Sequence, residues 1–293
     1  MTILITGSSG KYGKDVINFL LEKKVNPKNI VALVRDPSKG EEYKKKGVEI
    51  RVGDYDNYQS LVDAFKNVDQ LLFISSNDPV NKLKQQQDVV KAAKEASVKN
   101  ILYTSFIRKT EDGSSPVHNV VTSVHIQTED LIKKSGIPYT LLVNGLYSDV
   151  LTEFFFGPSV LSQGIFFPAS QGKSNYTTRR DQAEATANIL LNPSNHLNKT
   201  YVLANNESYT LTDASKILSE ISGKLVPYTS PEVETYREIL GKVIPSPLVE
   251  FSIAFALAIK QNEFETDKTD LPTLLGRKPT TLKDFLTTVY KSN

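Results

Sequence analysis

Six short apolar runs set the rhythm of the first half of the chain. They are TILIT (2–6), NIVALV (29–34), VEIRV (48–52), QLLFIS (70–75), NILYTS (100–105) and YTLLVN (139–144). Each is close to continuously apolar, the pattern of a strand covered on both faces rather than one. Between them, stretches such as LVDAFKNV (61–68) and QDVVKAAKEASV (87–98) repeat apolar residues at i, i+3 and i+4, the period of an amphipathic helix. Strict alternation of the two predicts right-handed crossovers and a parallel sheet with helices on both faces.

After about Asn144 the rhythm breaks. FFFGPSVLSQGIFFP (154–168) is rich in glycine and proline and predicts loops. A helix (DQAEATANILL), a strand (TYVLA) and a further helix (LTDASKILSEISG) follow, and the rest, from Pro227 to Asn293, predicts helices with one short loop, LLGRKPTTL. The expected architecture is therefore α/β: a doubly wound, Rossmann-type parallel sheet over residues 1–145, joined by returns from about 175–205. A smaller, mostly helical lobe over 146–293 closes across the carboxyl edge of the sheet and carries the substrate.

The first strand passes into the first helix through TGSSGKYG. Gly7, Gly10 and Gly13 suit a tight turn, a close approach of backbone to a pyrophosphate, and close packing of helix on sheet. A helix starting near Lys11 would aim its free N–H groups at that anion. A lone glycine pattern is weak, but this one opens a βαβ unit at the first strand. It predicts a dinucleotide site with Thr6, Gly7, Ser8, Ser9, Gly10, Lys11, Tyr12 and Gly13 in contact. At the end of the second strand an NAD site places a carboxylate on the ribose 2′-hydroxyl. This chain has Arg35 there, and a guanidinium suits a 2′-phosphate. NADPH is the expected cofactor, with Lys11 and Lys39 adding charge and Asp36 pointing elsewhere. Asp54, Tyr55, Ser75 and Ser76 lie at strand ends where the adenosine half would rest; helix capping is the competing role for Asp54 or Asp56.

Composition narrows the field. The chain has 35 Lys and Arg against 33 Asp and Glu, with no long block of one sign. Nucleic acid is not an expected partner, because phosphate backbones call for a concentrated basic face. Cysteine is absent and the three histidines, His118, His125 and His196, lack ligand spacing, so neither thiol chemistry nor a metal site is expected. The apolar VEFSIAFALAI (249–259) is about half a bilayer span. The expectation is a cytoplasmic protein that does not enter membranes; a homodimer is left open.

The segments ITGSSGKYG, VALVRDP, LLFISS, VVKAAKEASVKNILYTS, HIQTEDLIKKSGIPYTLLVNGLYSD, TTRRDQAEA and LLGRKPTTL resemble, in order and across nearly the whole chain, the NmrA-like family of atypical short-chain dehydrogenase/reductases. Its bacterial NADPH:quinone oxidoreductases are the nearest in likeness. The resemblance implies a small lobe over the nicotinamide end and two-electron reduction of a quinone or similar acceptor. It places Ser105 at the serine position of the broader superfamily, His125 at its lysine and Val121 at its tyrosine. The missing tyrosine speaks against alcohol oxidation and ordinary ketone reduction, which need an acid–base group at the reacting oxygen. It speaks against epimerase or dehydratase chemistry for the same reason. A non-catalytic NADP(H) sensor acting through a protein partner is the alternative. Position at strand ends adds Tyr103 beside the nicotinamide, and Asn144 and Tyr147 as groups that hydrogen-bond an acceptor oxygen. The expected catalytic set is Ser105, His125, Asn144 and Tyr147. Phe154 to Phe156 are expected either as an apolar wall for a flat acceptor or as core of the lobe.

Overall fold

The structure is a computed structural model and describes residues 1–291. Its strands are β1 (Ile3–Ile5), β2 (Ile30–Val34), β3 (Glu49–Val52), β4 (Gln70–Phe73), β5 (Asn100–Phe106), β6 (Tyr139–Asn144), β7 (Ile165–Phe166), β8 (Lys199–Leu203) and β9 (Tyr228–Thr229). Seven form one sheet in the order β3-β2-β1-β4-β5-β6-β8, and every pairing is parallel. Burial on both faces is nearly complete in the middle of the sheet, where all residues of β1, β2 and β4 are buried. This explains the continuous apolar runs. Successive residues alternate faces: Ile3 and Ile5 join a core under the helices Lys11–Glu22 and Arg179–Leu191. Leu4 joins a second core under Tyr58–Ala64, Lys82–Glu95 and Ser123–Ser135.

The chain runs outward from β1 to β2 and β3, then returns to place β4 on the other side of β1. At such a reversal the flanking connections diverge and leave a crevice beyond the carboxyl ends of the strands.

A third core lies in the region after β6, built around Phe155, Phe156, Phe167, Phe255 and Phe264. Its helices are Leu211–Ser222, Val233–Leu240, Ser246–Lys260 and Leu282–Tyr290, whereas Leu271–Leu275 packs on the core under Lys11–Glu22 and Arg179–Leu191. The stretch 154–168 is not all loop as the glycines and prolines predict: it contains the helix Val160–Gln163 and β7, which pairs with β9 in a small parallel sheet. Two-residue strands carry no period, so the alternation test passes over them. Among the described residues no helix is long and apolar enough to cross a membrane.

Several buried polar groups stitch this region to the large sheet. Asn175 Nδ2 donates to the Asn205 carbonyl at 2.8 Å, and Asn175 Oδ1 accepts from Thr266 N at 2.8 Å. Asp181 accepts from Arg277 Nη2 at 2.7 Å and from Thr280 N at 2.6 Å.

Candidate active site

The glycine loop leaves Gly7, Ser9, Gly10 and Lys11 exposed while Thr6, Ser8, Tyr12 and Gly13 are buried. Gly7 has φ +56°, a left-handed conformation that glycine adopts without strain. A Cβ on Gly13 would lie 2.5 Å from the Gly7 carbonyl oxygen and 2.9 Å from Ser8 Cα. The first turn of the helix is thus seated directly on the loop. A Cβ on Gly10 would meet only that same oxygen, at 3.2 Å, so Gly10 keeps the open side of the loop clear. Gly10 also precedes the helix Lys11–Glu22, with no side-chain cap and no acidic residue in its first turn. The free N–H groups and the positive end of the helix dipole face the loop without a competing carboxylate. This is a cradle that side chains would fill, and a pyrophosphate fits it.

Three loop residues expected to touch a cofactor instead hold the loop from behind, which corrects the sequence reading of their side chains. Thr6 Oγ1 bonds the Leu72 carbonyl at 3.2 Å and accepts from Ile74 N at 2.9 Å. Ser8 Oγ donates to the Leu33 carbonyl at 2.6 Å. The Tyr12 hydroxyl lies 2.6 Å from Thr186 Oγ1, on the helix Arg179–Leu191. Beta-strand ends must be joined under a loop that exposes its backbone upward, and these groups make the joints.

Arg35 follows β2, is exposed, and forms no ion pair among the described residues. Asp36 beside it accepts from Ser38 N at 2.9 Å and caps the turn Pro37–Gly40; that bond holds its carboxyl below the usual carboxylate range. The carboxylate that directly follows Arg35 is thereby committed. Asp54 closes a local turn onto Asp56 N, while the cap of the helix Tyr58–Ala64 is Asn57 rather than either aspartate. The Tyr55 hydroxyl reaches 2.6 Å from Thr6 Oγ1 and 2.8 Å from the Ile74 carbonyl, so Tyr55 lies over the end of β1 with its ring partly exposed. Ser75 is half-buried at the lip of the crevice. Ser76 is turned inward onto Gln85, a correction to its expected place on the ribose side.

At the ends of β5 and β6 the side chains form two separate clusters. In the first, His125 Nδ1 lies 2.8 Å from the Tyr103 hydroxyl and Nε2 lies 3.3 Å from Lys82 Nζ. Tyr103 donates to Gln86 Oε1 at 2.6 Å, and Gln86 Nε2 donates to Ser75 Oγ at 3.1 Å. Burial holds the His125 imidazole well below its ordinary pKa, and the Lys82 and Arg108 cations add to this. Ser105 donates to Glu129, which is clamped by Arg108 through Nη1 at 2.9 Å and Nη2 at 2.8 Å. Tyr103 and Ser105 are therefore corrections: both are buried and both hydroxyls are held inside the protein. They share one face of the sheet, the one covered by Lys82–Glu95 and Ser123–Ser135, as alternate residues of one strand must.

In the second cluster Asn144 is buried and its Nδ2 faces the Tyr147 hydroxyl at 3.4 Å, while Oδ1 has no protein partner. The Tyr147 ring is tilted against Tyr12, centroids 6.4 Å apart, with the Arg179 guanidinium 5.0 Å above it. Burial raises the phenol pKa of Tyr147, so it stays protonated and can donate. Phe155 and Phe156 are core; Phe154 is exposed against Phe251. Next to it, Glu153 pairs with Lys11 at 2.8 Å and Arg179 at 3.3 Å, an ionic clasp from the smaller lobe to the glycine loop. Lys82, Gln86 and Arg179 were missed from sequence. A lysine opening a helix carries no signal until the histidine from another helix is placed against it. Among the described residues no group of His, Cys, Asp or Glu could hold a metal.

The comparisons with known proteins span nearly the whole chain. Quinone oxidoreductase 2 of Escherichia coli (strain K12) is 33% identical over 293 residues, covering 99% of each chain. The crystal structure of a Citrobacter sp. triphenylmethane reductase complexed with NADP(H) superposes with a TM-score of 0.90 at 36% identity, over 98% of this chain and 99% of that one. An NAD(P)H azoreductase of Xenophilus azovorans is 25% identical over 97% of this chain and 96% of its own length. The profile of the NmrA-like family matches residues 1–286. A match that runs from the first strand through the last helices takes in the glycine cradle, both polar clusters and the smaller lobe together, and so the chain belongs to the NmrA-like family.

Proposed function

We propose that the protein is an NADPH-dependent oxidoreductase that reduces a quinone or a similarly conjugated acceptor by two electrons. The observation that carries the reading is the pair Asn144–Tyr147. It is a buried amide and a protonated phenol at the carboxyl end of β6, one ring away from the glycine loop through Tyr12. A buried amide oxygen without a partner is costly in an ordinary core, and here it stands at the carboxyl end of β6. The relatives support the same class, since their names give a quinone, a triphenylmethane dye and an azo compound as acceptors.

The exposed backbone of Gly7 to Gly10 and the following helix end would hold the pyrophosphate, and Arg35 the 2′-phosphate. When bound, NADPH supplies a hydride to the acceptor. Tyr147 donates a hydrogen bond to an acceptor oxygen and Asn144 orients that phenol. Arg179, stacked over the Tyr147 ring, excludes water from one face and fixes its tilt. No tyrosine stands at position 121, where Val121 packs against the apolar core of the lobe. A quinone gains aromaticity on reduction, so positioning can suffice where a carbonyl would need a strong acid.

The test is NADPH oxidation on addition of a small quinone. Asn144→Ala and Tyr147→Phe are each expected to lower turnover about tenfold, the scale of one lost hydrogen bond of about 1.5 kcal/mol, with NADPH affinity unchanged. An unmodified protein that binds NADPH but reduces no quinone would overturn the reading in favour of a sensor.

A further inference from the structure

A pocket of about 480 Å³ lies at the opposite edge of the large sheet, between the starts of β4 and β5 and the turn Pro193–Asn195. Met1, Pro193 and Leu197 are its apolar lining. Gln70 opens β4 and Asn100 opens β5, and the two are register partners, so their side chains share a face of the sheet. Leu102, two residues on from Asn100, pairs with Thr140 of β6, which puts Thr140 on that face too.

These three polar side chains form a row under the chain that leaves the helix Arg179–Leu191. Gln70 Nε2 donates to the Leu190 carbonyl at 3.0 Å, and Thr140 Oγ1 donates to the His196 carbonyl at 2.8 Å. Asn100 stands between them and ties nothing. Among the described residues neither its Oδ1 nor its Nδ2 has a hydrogen-bond partner, and Gln70 Oε1 has none either. Asn100 is 4% exposed and Gln70 2%. Buried amide groups left unpaired are costly, and a leucine of similar size would carry no such penalty. The two charged side chains of the lining are spent on each other: Lys99 Nζ donates to Asp69 at 2.6 Å, and Asp69 also accepts from Thr2 N at 2.7 Å.

We propose that this pocket binds a neutral adenine-type base, at a site separate from the dinucleotide crevice. The unpaired set consists of two acceptors, Asn100 Oδ1 and Gln70 Oε1, and one donor group, Asn100 Nδ2. Its complement is a planar ring bearing one exocyclic amine, with two N–H donors, beside a ring nitrogen that accepts. An asparagine amide pairs with adenine in this bidentate way. Neighbouring strands run about 4.8 Å apart. Two acceptors sharing one amino group lie about 5 Å apart when each bond is about 2.9 Å, so oxygens carried by adjacent strands suit it. Pro193 and Leu197 supply apolar cover for the ring. With Lys99 committed, no free cation of the lining awaits a phosphate, which favours a base or nucleoside over a nucleotide. Met1 covers the entrance to Gln70, its Sδ 3.2 Å from Gln70 Nε2, and is itself 55% exposed. An unbranched thioether swings aside at little cost, and the base enters by displacing it. The seven residues of β5 set Asn100 about 20 Å from the carboxyl end of the strand, so the two sites can be filled together.

The experiment is an NMR titration of the protein saturated with NADP⁺, which keeps the crevice occupied. Adenine is expected to shift the Asn100 side-chain NH2 resonances and the Met1 methyl saturably. Purine, which lacks the amine, should bind about tenfold more weakly, the scale of a lost hydrogen bond. Asn100→Leu should weaken adenine by a similar factor, leave NADPH affinity unchanged and melt no lower than the parent. Asn100 resonances that adenine does not move would overturn the proposal, as would equal affinities for adenine and purine or a preference for nicotinamide over adenine. An Asn100→Leu variant that melts far below the parent would also overturn it, by making Asn100 a joint of the fold. The adenine and purine titrations use the unmodified protein and so decide without the variant.

Discussion

At the glycine loop side chains are kept out, whereas at the ends of β5 and β6 they are brought in from separate stretches of chain. The loop works through backbone: exposed Gly7, Ser9 and Gly10, a left-handed φ, and a helix seated so tightly on Gly13 that no Cβ fits. The ends of β5 and β6 gather Lys82, His125, Asn144, Tyr147 and Arg179, which come from three helices, the end of β6 and the loop that follows it. A site made of missing atoms is local in sequence. A site made of assembled side chains is local only in space. The first tolerates change at its supporting hydroxyls better than at its glycines; the second should behave in the opposite way.

The largest effect expected from that contrast is at Gly13. Gly13→Val places atoms 2.5 Å from a backbone oxygen, which must move the helix. Overpacking of this kind costs about 1–3 kcal/mol or more, so a lowered melting temperature together with loss of NADPH binding in calorimetry is expected. Gly10→Val, which meets one oxygen at 3.2 Å, should melt near the parent and still fail to bind NADPH. Equal melting temperatures for both variants would break the distinction between a seated and an open glycine.

Arg35→Ala comes next. Loss of a charge-assisted bond is worth about 1.5–3 kcal/mol, one to two decades in NADPH affinity. NADH affinity should hardly change. An unaltered NADPH to NADH ratio would remove Arg35 from the site.

A smaller effect should appear as a pH dependence of stability. Folded His125 has a pKa well below its ordinary 6.5, so the unfolded chain binds the extra proton first. Stability is therefore full above about pH 6.5 and is lost as pH falls from there toward the folded value. Urea melts between pH 7.5 and 5 should show this slope, and His125→Gln should make it shallower. The smallest effect belongs to the clasp. Glu153→Gln removes an exposed pair with Lys11 and a half-buried one with Arg179, which keeps Asp149 as partner, and pairs at the surface are worth about 0–1 kcal/mol. The melting temperature should scarcely move, and the remaining difference should vanish at high salt.

Most of the sheet was legible in sequence because burial on both faces writes itself as unbroken apolar runs: NIVALV contains β2 and YTLLVN coincides with β6. The exposed glycine turn between β1 and its helix was legible for a related reason, since it depends on one short stretch of chain. Thr6, Ser8 and Tyr12 were read as facing the ligand because they belong to the glycine segment, Tyr103 and Ser105 because they stand toward the end of β5. Which way a side chain leaves a strand depends on the phase of alternation, and the hydroxyl then takes whichever partner packing supplies. For Tyr103 that partner lies on a helix and for Tyr12 it lies 174 residues away. The β7–β9 pair was illegible because two residues make no period.

That long reach from Tyr12 also bears on how the chain can be made. The helix Lys11–Glu22 emerges early, but the helix Arg179–Leu191 that covers Val16, Ile17 and Leu20 is synthesised far later. At about 5–20 residues per second the first apolar face waits on the order of ten to thirty seconds for its cover. Strand β8 arrives later still, after the first stretch of the smaller lobe through β7 but before the lobe's helices Val233–Leu240, Ser246–Lys260 and Leu282–Tyr290. A fragment ending at 145 would lack both the covering helix and the edge strand. It would expose an apolar helix face and the open edge of β6, a surface prone to aggregation. The large sheet is thus no detachable module of residues 1–145, and its completion is delayed until the first stretch of the smaller lobe has been threaded.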